Sequence, residues 1–507
     1  MIIMTCLLSL AVLLLCYYIG HMVYKHLTYW NRLGIACEPP HWLLGNFAGV
    51  TTQRSFDEIF QNYYDKYKCC GPFAGFYWFT KAGVMVMDPE LAKHILIKDF
   101  SKFTDRVMYC NEQDDPLTGQ LFNLPGQRWR HMRNKLSPTF TANKMRIMFP
   151  LVLNIGQEFV QIFEQDLEYS DVLNVSDLVA RFTTDVIGSC AFGLEIKSLQ
   201  HPGVEFRKMS RKAFIQQRYG TLGFVLRFGF PEMARRLHIK ETMADVEKFF
   251  MDIVKETIDF RELHQIRRND FMDTLMDLKN NKIMINNCGE QLTNPFSFGQ
   301  IAAQAFVFLL AGYETSSTTM GFALYELARN PEIQIKARNE VRKVLEKHKQ
   351  IFTYECVKDM EYLEQIMQET LRMYTIAPAL LRQALEDYVV PGYPHYVIKK
   401  GMPVFIPSSA MHKDGRYFPQ PHTFNPDNFS PEKVASRESG LNLSFGDGPR
   451  NCIGMRFAKM QILVGLALLL QHFEFAVCNK TLIPMQYDKK IFMVSPEGGI
   501  YLRVTKL

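Results

Sequence analysis

The stretch Phe445–Gly454 reads FGDGPRNCIG, and a long apolar run, MRFAKMQILVGLALLLQHF, follows it. Glycines permit positive φ and let a second group approach the backbone closely. Pro449 restrains one bend. The loop presents Cys452 just before a helix N-terminus, where free N–H groups and the helix dipole favour an anion. That placement predicts a depressed thiol pKa. A thiolate so presented is a nucleophile or a metal ligand. A cysteine hydrolase needs a partner His and an oxyanion hole. The 13 His residues exclude nothing, but no protease signature surrounds the Cys. A lone thiolate also holds haem iron axially, with Phe445 by the sulfur and Arg450 on a haem carboxylate. The bland alternative is a glycine turn beside a core cysteine, and the loop alone leaves all three open.

A second grouping lies upstream in Ile301–Leu327, a long apolar stretch with polar residues at its middle. Gly312 weakens a helix there by about 1 kcal/mol against Ala. Glu314 sits beside Thr315, the first of five consecutive hydroxyl residues. Interior Ser and Thr bond back to the preceding turn and bend a helix, so the run after Thr315 reads as a packing seam. An acid next to a hydroxyl can relay protons, which is general acid work. Glu369 and Arg372 share a helix face at a spacing that suits an ion pair. Trp129 and Arg133 share another.

Taken together these segments resemble the cytochrome P450 family. The cysteine loop meets FxxGxRxCxG at Phe445, Gly448, Arg450, Cys452 and Gly454, and AGYET meets (A/G)Gx(D/E)T. Glu369–Arg372 meets ExxR, and Trp129–Arg133 meets WxxxR. The longer run FGDGPRNCIGMRFAKMQ resembles the insect microsomal P450s that oxidise foreign compounds. The motifs fall in family order from Trp129 to Cys452, so the resemblance covers nearly the whole chain.

The resemblance implies haem b as cofactor, with Cys452 as axial ligand of the iron and Phe445 packed by the sulfur. Arg450, Arg382, Trp129 and Arg133 would meet the propionates. Thr315 would be the oxygen-contact hydroxyl and Glu314 the relay acid. Glu369–Arg372 would be a buried structural pair, of the kind whose rupture costs about 3–5 kcal/mol. Two departures stand out. Asn428 replaces the usual Arg in the segment PDNF, and Thr375-Ile376 replaces a frequent Pro pair. The substrate cavity would be lined by Tyr109–Phe122, Phe306–Leu310, Ile376–Leu381 and the turn near Phe492–Val494. The implied function is a haem–thiolate monooxygenase acting on lipophilic xenobiotics such as insecticides or plant toxins. A dedicated hydroxylase of a hormone or fatty acid, and a haem-bound ligand sensor or carrier without turnover, are the competing readings. NADPH would act only through NADPH–cytochrome P450 reductase, with cytochrome b5 as a second candidate partner. Arg130, Lys135, Arg456 and Lys459 are candidates for a cationic docking face.

The elements that must hold these groups follow from pattern. With 507 residues, a net charge of +6 and no linker or repeat, the chain reads as one large buried unit. No dense basic block with interleaved aromatics points to nucleic acid. The 11 cysteines form no CxxC pair, so most are expected to be small buried hydrophobes in a reducing compartment. Residues 2–19 carry no charge, and Lys25 and Arg32 follow them. This predicts a transmembrane anchor over 1–24 with the rest on the cytosolic face of the endoplasmic reticulum membrane. A linker with a proline hinge over 25–46 and one catalytic domain over 47–507 would follow. Helices are expected over Leu136–Phe163, Val175–Gly188, Ser297–Arg329, Thr353–Tyr374 and Met455–Phe473. Short strands are expected near Gly83–Met87, Val404–Ile406, Ile491–Val494 and Ile500–Val504. The fold class is mainly α, an α-rich α+β domain with small sheets.

Overall fold

The computed structural model describes the backbone of residues 2–216, 218–279, 284–285, 291–292, 296–437 and 440–507. Helix α1 (Ile2–Leu27) has no acid in its first turn and carries Lys25 and His26 in its last. Most of its described apolar side chains, Leu13 and Tyr17 among them, are exposed. Among the described residues no helix is long and apolar enough to cross a membrane. Trp30 beyond it is fully buried, and a Cβ on Gly75 would come within 2.2 Å of the indole. Only glycine lets that strand and the ring meet.

The elements that position the site are, in order, β1 (Phe73–Trp78), β2 (Lys81–Val86), α2 (Gly126–Leu136) and α3 (Ala142–Leu167). Next come β3 (Val172–Asn174), α4 (Val175–Ile187), α5 (Glu205–Ile215), α6 (Phe298–Arg329) and α7 (Glu361–Met373). The series ends with β4 (Leu380–Gln383), β5 (Pro403–Ile406), α8 (Met455–His472), β6 (Phe473–Ala476) and β7 (Tyr501–Lys506). One sheet has the order β1-β2-β5-β4. Within it β2 and β5 run parallel, and Arg382 of β4 faces Val404 of β5. A second sheet, β6-β7-β3, is antiparallel.

Helix α6 is the axis of the larger core. Ser297 and Gln300 close a capping box at its start, which satisfies two of the free N–H groups of the first turn. Its apolar middle packs on α4, α7 and α8, and α3 covers α8 where Gly156 lies under Leu468. A smaller aromatic core lies on the first sheet, where the Phe47 ring meets Phe76 at 5.2 Å and Trp78 at 5.1 Å.

The α-rich fold with small sheets agrees with expectation; several boundaries differ for local reasons. Leu136–Phe163 is not one helix. A 3-10 turn, Ser137–Phe140, with Pro138 near its start, separates α2 from α3, which then runs through Pro150 to Leu167. The stretch Thr353–Tyr374 breaks at Met360 into Tyr354–Asp359 and α7. Ile491–Val494 forms no strand; Val494 instead donates its N–H to Ile376 O at 2.9 Å. Cysteine burial is also less general than expected. Among the described cysteines only Cys190 and Cys356 are buried, and all are free. Cys288 and the side chain of Cys6 lie outside the described residues.

Candidate active site

The cysteine loop is held by its own backbone. The Cys452 N–H donates to Phe445 O at 2.8 Å, and Asp447 accepts from the Gly448 N–H at 2.7 Å. Gly448 has φ +69, and a Cβ there would lie 1.8 Å from Leu96 O. The left-handed backbone and the carbonyl of a neighbouring helix together admit only glycine. Gly454 then caps α8. Phe445 is half-buried and packs on the larger core.

Cys452 presents a solvent-accessible face, yet protein surrounds it densely enough to penalise its charge. Burial pushes the thiol pKa up, against the downward pull of the Gly454 N–H, Arg133 and Arg106. The depressed pKa read from the helix terminus is thus reversed, because desolvation outweighs the terminus.

Four arginines gather around this loop. Arg133 on α2 donates to Asn451 O and Oδ1, both at 2.9 Å. Arg450 donates to Leu124 O and lies over the Trp129 ring, with 4.4 Å from guanidinium to centroid. Arg106 donates to Arg450 O at 3.2 Å. Arg382 on β4 is 1% exposed and donates to its neighbour Leu381 O at 2.8 Å. Burial lowers all four, and repulsion from neighbouring arginines adds to it at Arg106, Arg382 and Arg450. Arg106 falls to about 10 and Arg450 to about 9, while Arg382, beside Arg106 and Arg450, falls well below its ordinary value. Arg382 Nε and Arg450 Nε and Nη1 are buried with no partner among the described residues. Buried cations are retained when an anion pairs them. Unpaired guanidinium donors beside a thiol therefore fit haem, whose propionates would pair them and whose iron the sulfur would ligate. Arg106 was not foreseen, since no local motif marks it.

On α6, Thr315 Oγ1 donates to Ala311 O at 2.5 Å. Its proton is thereby committed, and its oxygen is left as an acceptor. Ala311 is exposed and Thr315 half-exposed, so this turn is accessible from outside the helix. Gly312 sits on α4, where a Cβ would meet Ile187 Cδ1 at 2.4 Å. Burial pushes the Glu314 carboxyl above its ordinary value, while the Tyr313 hydroxyl and Arg211 and Arg207 of α5 pull it down. The residues beyond Thr315 are buried, and Ser317 and Thr319 bond back to Glu314 O and Thr315 O.

Glu369 and Arg372 are fully buried on α7 and form two parallel bonds, Nε to Oε2 and Nη2 to Oε1, each 2.8 Å. Asn428 Nδ2 donates to Glu369 Oε1 at 3.1 Å, and the Asn425 N–H does so at 2.9 Å. Arg437 adds a cation in the same field; it donates to Asn428 O at 2.6 Å and lies over Phe418 at 4.2 Å. Arg372 Nη1 also donates to His412 O at 2.9 Å and Pro421 O at 2.8 Å. His412 is a second residue with no sequence signal. Its Nε2 accepts from the Leu443 N–H at 2.9 Å, so its Nδ1 carries the proton facing Thr375 Oγ1 at 2.8 Å.

The basic residues read as one face divide. Arg130 and Arg456 are exposed, Lys459 is paired with Glu364, and Lys135 is 2% exposed with its ammonium 4.8 Å from the Phe296 ring centroid. Lys135 is therefore not a surface docking residue. Among the expected cavity residues, Phe308 is partly buried and stacks on Phe140 at 5.0 Å, against the larger core.

Comparison with known proteins agrees with this geometry. The family model for cytochrome P450 matches residues 35–503. The chain is 55% identical over 492 residues to probable cytochrome P450 6a21 of Drosophila melanogaster, covering 96% of this chain and 97% of the relative. It is 54% identical to cytochrome P450 6a9 of the same fly, with the same coverage. It is 47% identical to cytochrome P450 6A1 of Musca domestica, over 94% of this chain and 93% of the relative. A thiol loop ringed by four arginines, two of them with buried unpartnered donors, and an acid–hydroxyl turn on a long core helix thus occur in a chain that belongs to the cytochrome P450 family, the haem-thiolate monooxygenases.

Proposed function

We propose that this monooxygenase is a microsomal enzyme that inserts one atom of dioxygen into lipophilic foreign compounds such as insecticides or plant toxins. Electrons would come from NADPH–cytochrome P450 reductase, with cytochrome b5 as an auxiliary donor. The observation that carries the monooxygenase part is the Glu314–Thr315 pair on α6, packed against the helix that Cys452 precedes. Bound haem supplies the activation of dioxygen. The chain's own groups do the rest. Cys452 Sγ ligates the iron, and Phe445 shields that sulfur. Arg106, Arg133, Arg382 and Arg450, with Trp129 beneath Arg450, hold the propionates. Thr315 Oγ1, its own proton committed to Ala311 O, accepts a hydrogen bond from a water and holds it. The Glu314 carboxyl, kept protonated above its ordinary range by burial, donates along that water and is reprotonated from solvent.

The xenobiotic reading rests on the resemblance of the cysteine segment to insect microsomal enzymes and on the apolar character of Phe306, Ile376 and Val494, all buried. The uncharged run 2–19 followed by Lys25 and Arg32 supports an anchor over 1–24 in the endoplasmic reticulum membrane. A joining segment over 25–46 and one catalytic domain over 47–507 complete the proposed organisation. Exposed Arg130 and Arg456 are the cations retained for docking the reductase. The test is turnover of a lipophilic panel by the purified protein with reductase and NADPH. Oxygenated products from several unrelated foreign compounds support the reading. Turnover restricted to one endogenous hormone or fatty acid replaces it with the dedicated hydroxylase.

A further inference from the structure

In the turn of α6 around Thr315, four backbone carbonyls carry a side-chain donor. Ala311 O takes Thr315 Oγ1 at 2.5 Å, Glu314 O takes Ser317 Oγ at 3.0 Å, and Thr315 O takes Thr319 Oγ1 at 2.8 Å. The fourth donor, among the described residues, is the one that comes from another helix. Gln461 Nε2 of α8 reaches Gly312 O at 2.9 Å and also bonds Ser316 Oγ. Gln461 is fully buried. Its orientation is fixed chemically, because a carbonyl oxygen only accepts and must face the amide nitrogen. The amide keeps this orientation although Oε1 then has no partner among the described residues.

The placement matters because α8 begins directly after the thiolate loop, while Gly312 and Ser316 flank the Glu314–Thr315 pair. The Gly312 carbonyl thus takes a side-chain donor from α8, as other carbonyls of this turn take hydroxyls from α6 itself. We infer that Gln461 is a positioning residue for oxygen activation: its amide fixes the α6 turn that carries Thr315 relative to the helix that Cys452 precedes. Packing alone does not require an amide here, since Met fills the same volume.

The inference rests on the monooxygenase reading. Its test compares the wild-type holoenzyme with Gln461→Met, which keeps the volume and removes the donor. Ser316→Ala, which removes one of the two acceptors at little packing cost, is the second arm. Three quantities are read: the carbon monoxide difference spectrum, product formed per NADPH with reductase, and backbone hydrogen exchange over residues 308–320. Gln461→Met is expected to keep the thiolate-type Soret band, to exchange faster over that stretch and to lose product per NADPH about tenfold, with hydrogen peroxide released instead. That loss lies within the ~100-fold that a misplacement of about 1 Å can cause. Ser316→Ala is expected to move exchange and coupling in the same direction by less. Unchanged exchange and coupling in Gln461→Met overturns the inference, as does unchanged exchange in Ser316→Ala if the Met variant does not hold haem. A wild type with no thiolate-type band overturns the monooxygenase reading itself and the inference with it.

Discussion

The guanidinium of Arg450 lies over the indole of Trp129, 4.4 Å from its centroid, while its Nη2 donates to Leu124 O just ahead of α2. One side chain thereby fastens the cysteine loop to the helix that carries Arg133. Trp129 is 4% exposed, so truncation removes both the stack and a core side chain.

Trp129→Ala is expected to cost about 3–5 kcal/mol of stability and to lower haem content. Thermal unfolding and the haem-to-protein absorbance ratio check both. An unchanged ratio would remove Trp129 from the haem-binding set.

Gly448→Ala is expected to expel haem while leaving most helix intact. Its Cβ would strike Leu96 O at 1.8 Å, a backbone atom that cannot rotate away, at a φ of +69. Circular dichroism and haem titration separate these two effects.

Glu314→Gln and Thr315→Val are expected to lower product per NADPH by roughly 100-fold, the lower end of general acid contributions. Burial raises the Glu314 pKa, so its carboxyl holds the proton above its ordinary range and loses it as pH rises through the elevated value. Wild-type coupling should therefore fall along that limb with rising pH, and Glu314→Gln should flatten it. A pH profile of product per NADPH gives the answer; an identical limb in the Gln variant excludes Glu314 as donor.

His412 is buried, next to Arg372, and its pKa falls from 6.5 to about 3. The unfolded chain takes up this proton near 6.5 and the folded chain does not. The contribution to stability is thus complete above 6.5 and lost progressively as pH falls towards about 3. Urea unfolding of wild type and His412→Asn over that range should show a shallower pH slope in the variant.

What was legible in the sequence is what a few adjacent residues declare. The cysteine loop, AGYET and Glu369–Arg372 each carry their spacing within at most ten consecutive residues, and the resemblance joins them into one site. The Asn428 amide reaches Glu369, yet the help from the Asn425 N–H and Arg437 depends on a fold of the intervening loop. Arg106, His412 and Gln461 had no signal, because their partners lie on distant segments. The Cys452 pKa departs from the sequence expectation because a helix terminus can be read locally and desolvation cannot. Lys135 looked like a surface cation for the same reason: its position in α2 was legible, its burial was not.

The ligation of iron by Cys452 is tested most directly by the reduced carbon monoxide difference spectrum of the purified protein and its Cys452→Ser variant. The wild type is expected to show the red-shifted Soret band of a thiolate-bound haem, and the variant is expected to lose that band together with oxygenase turnover. A variant with the same spectrum and the same turnover would contradict the account.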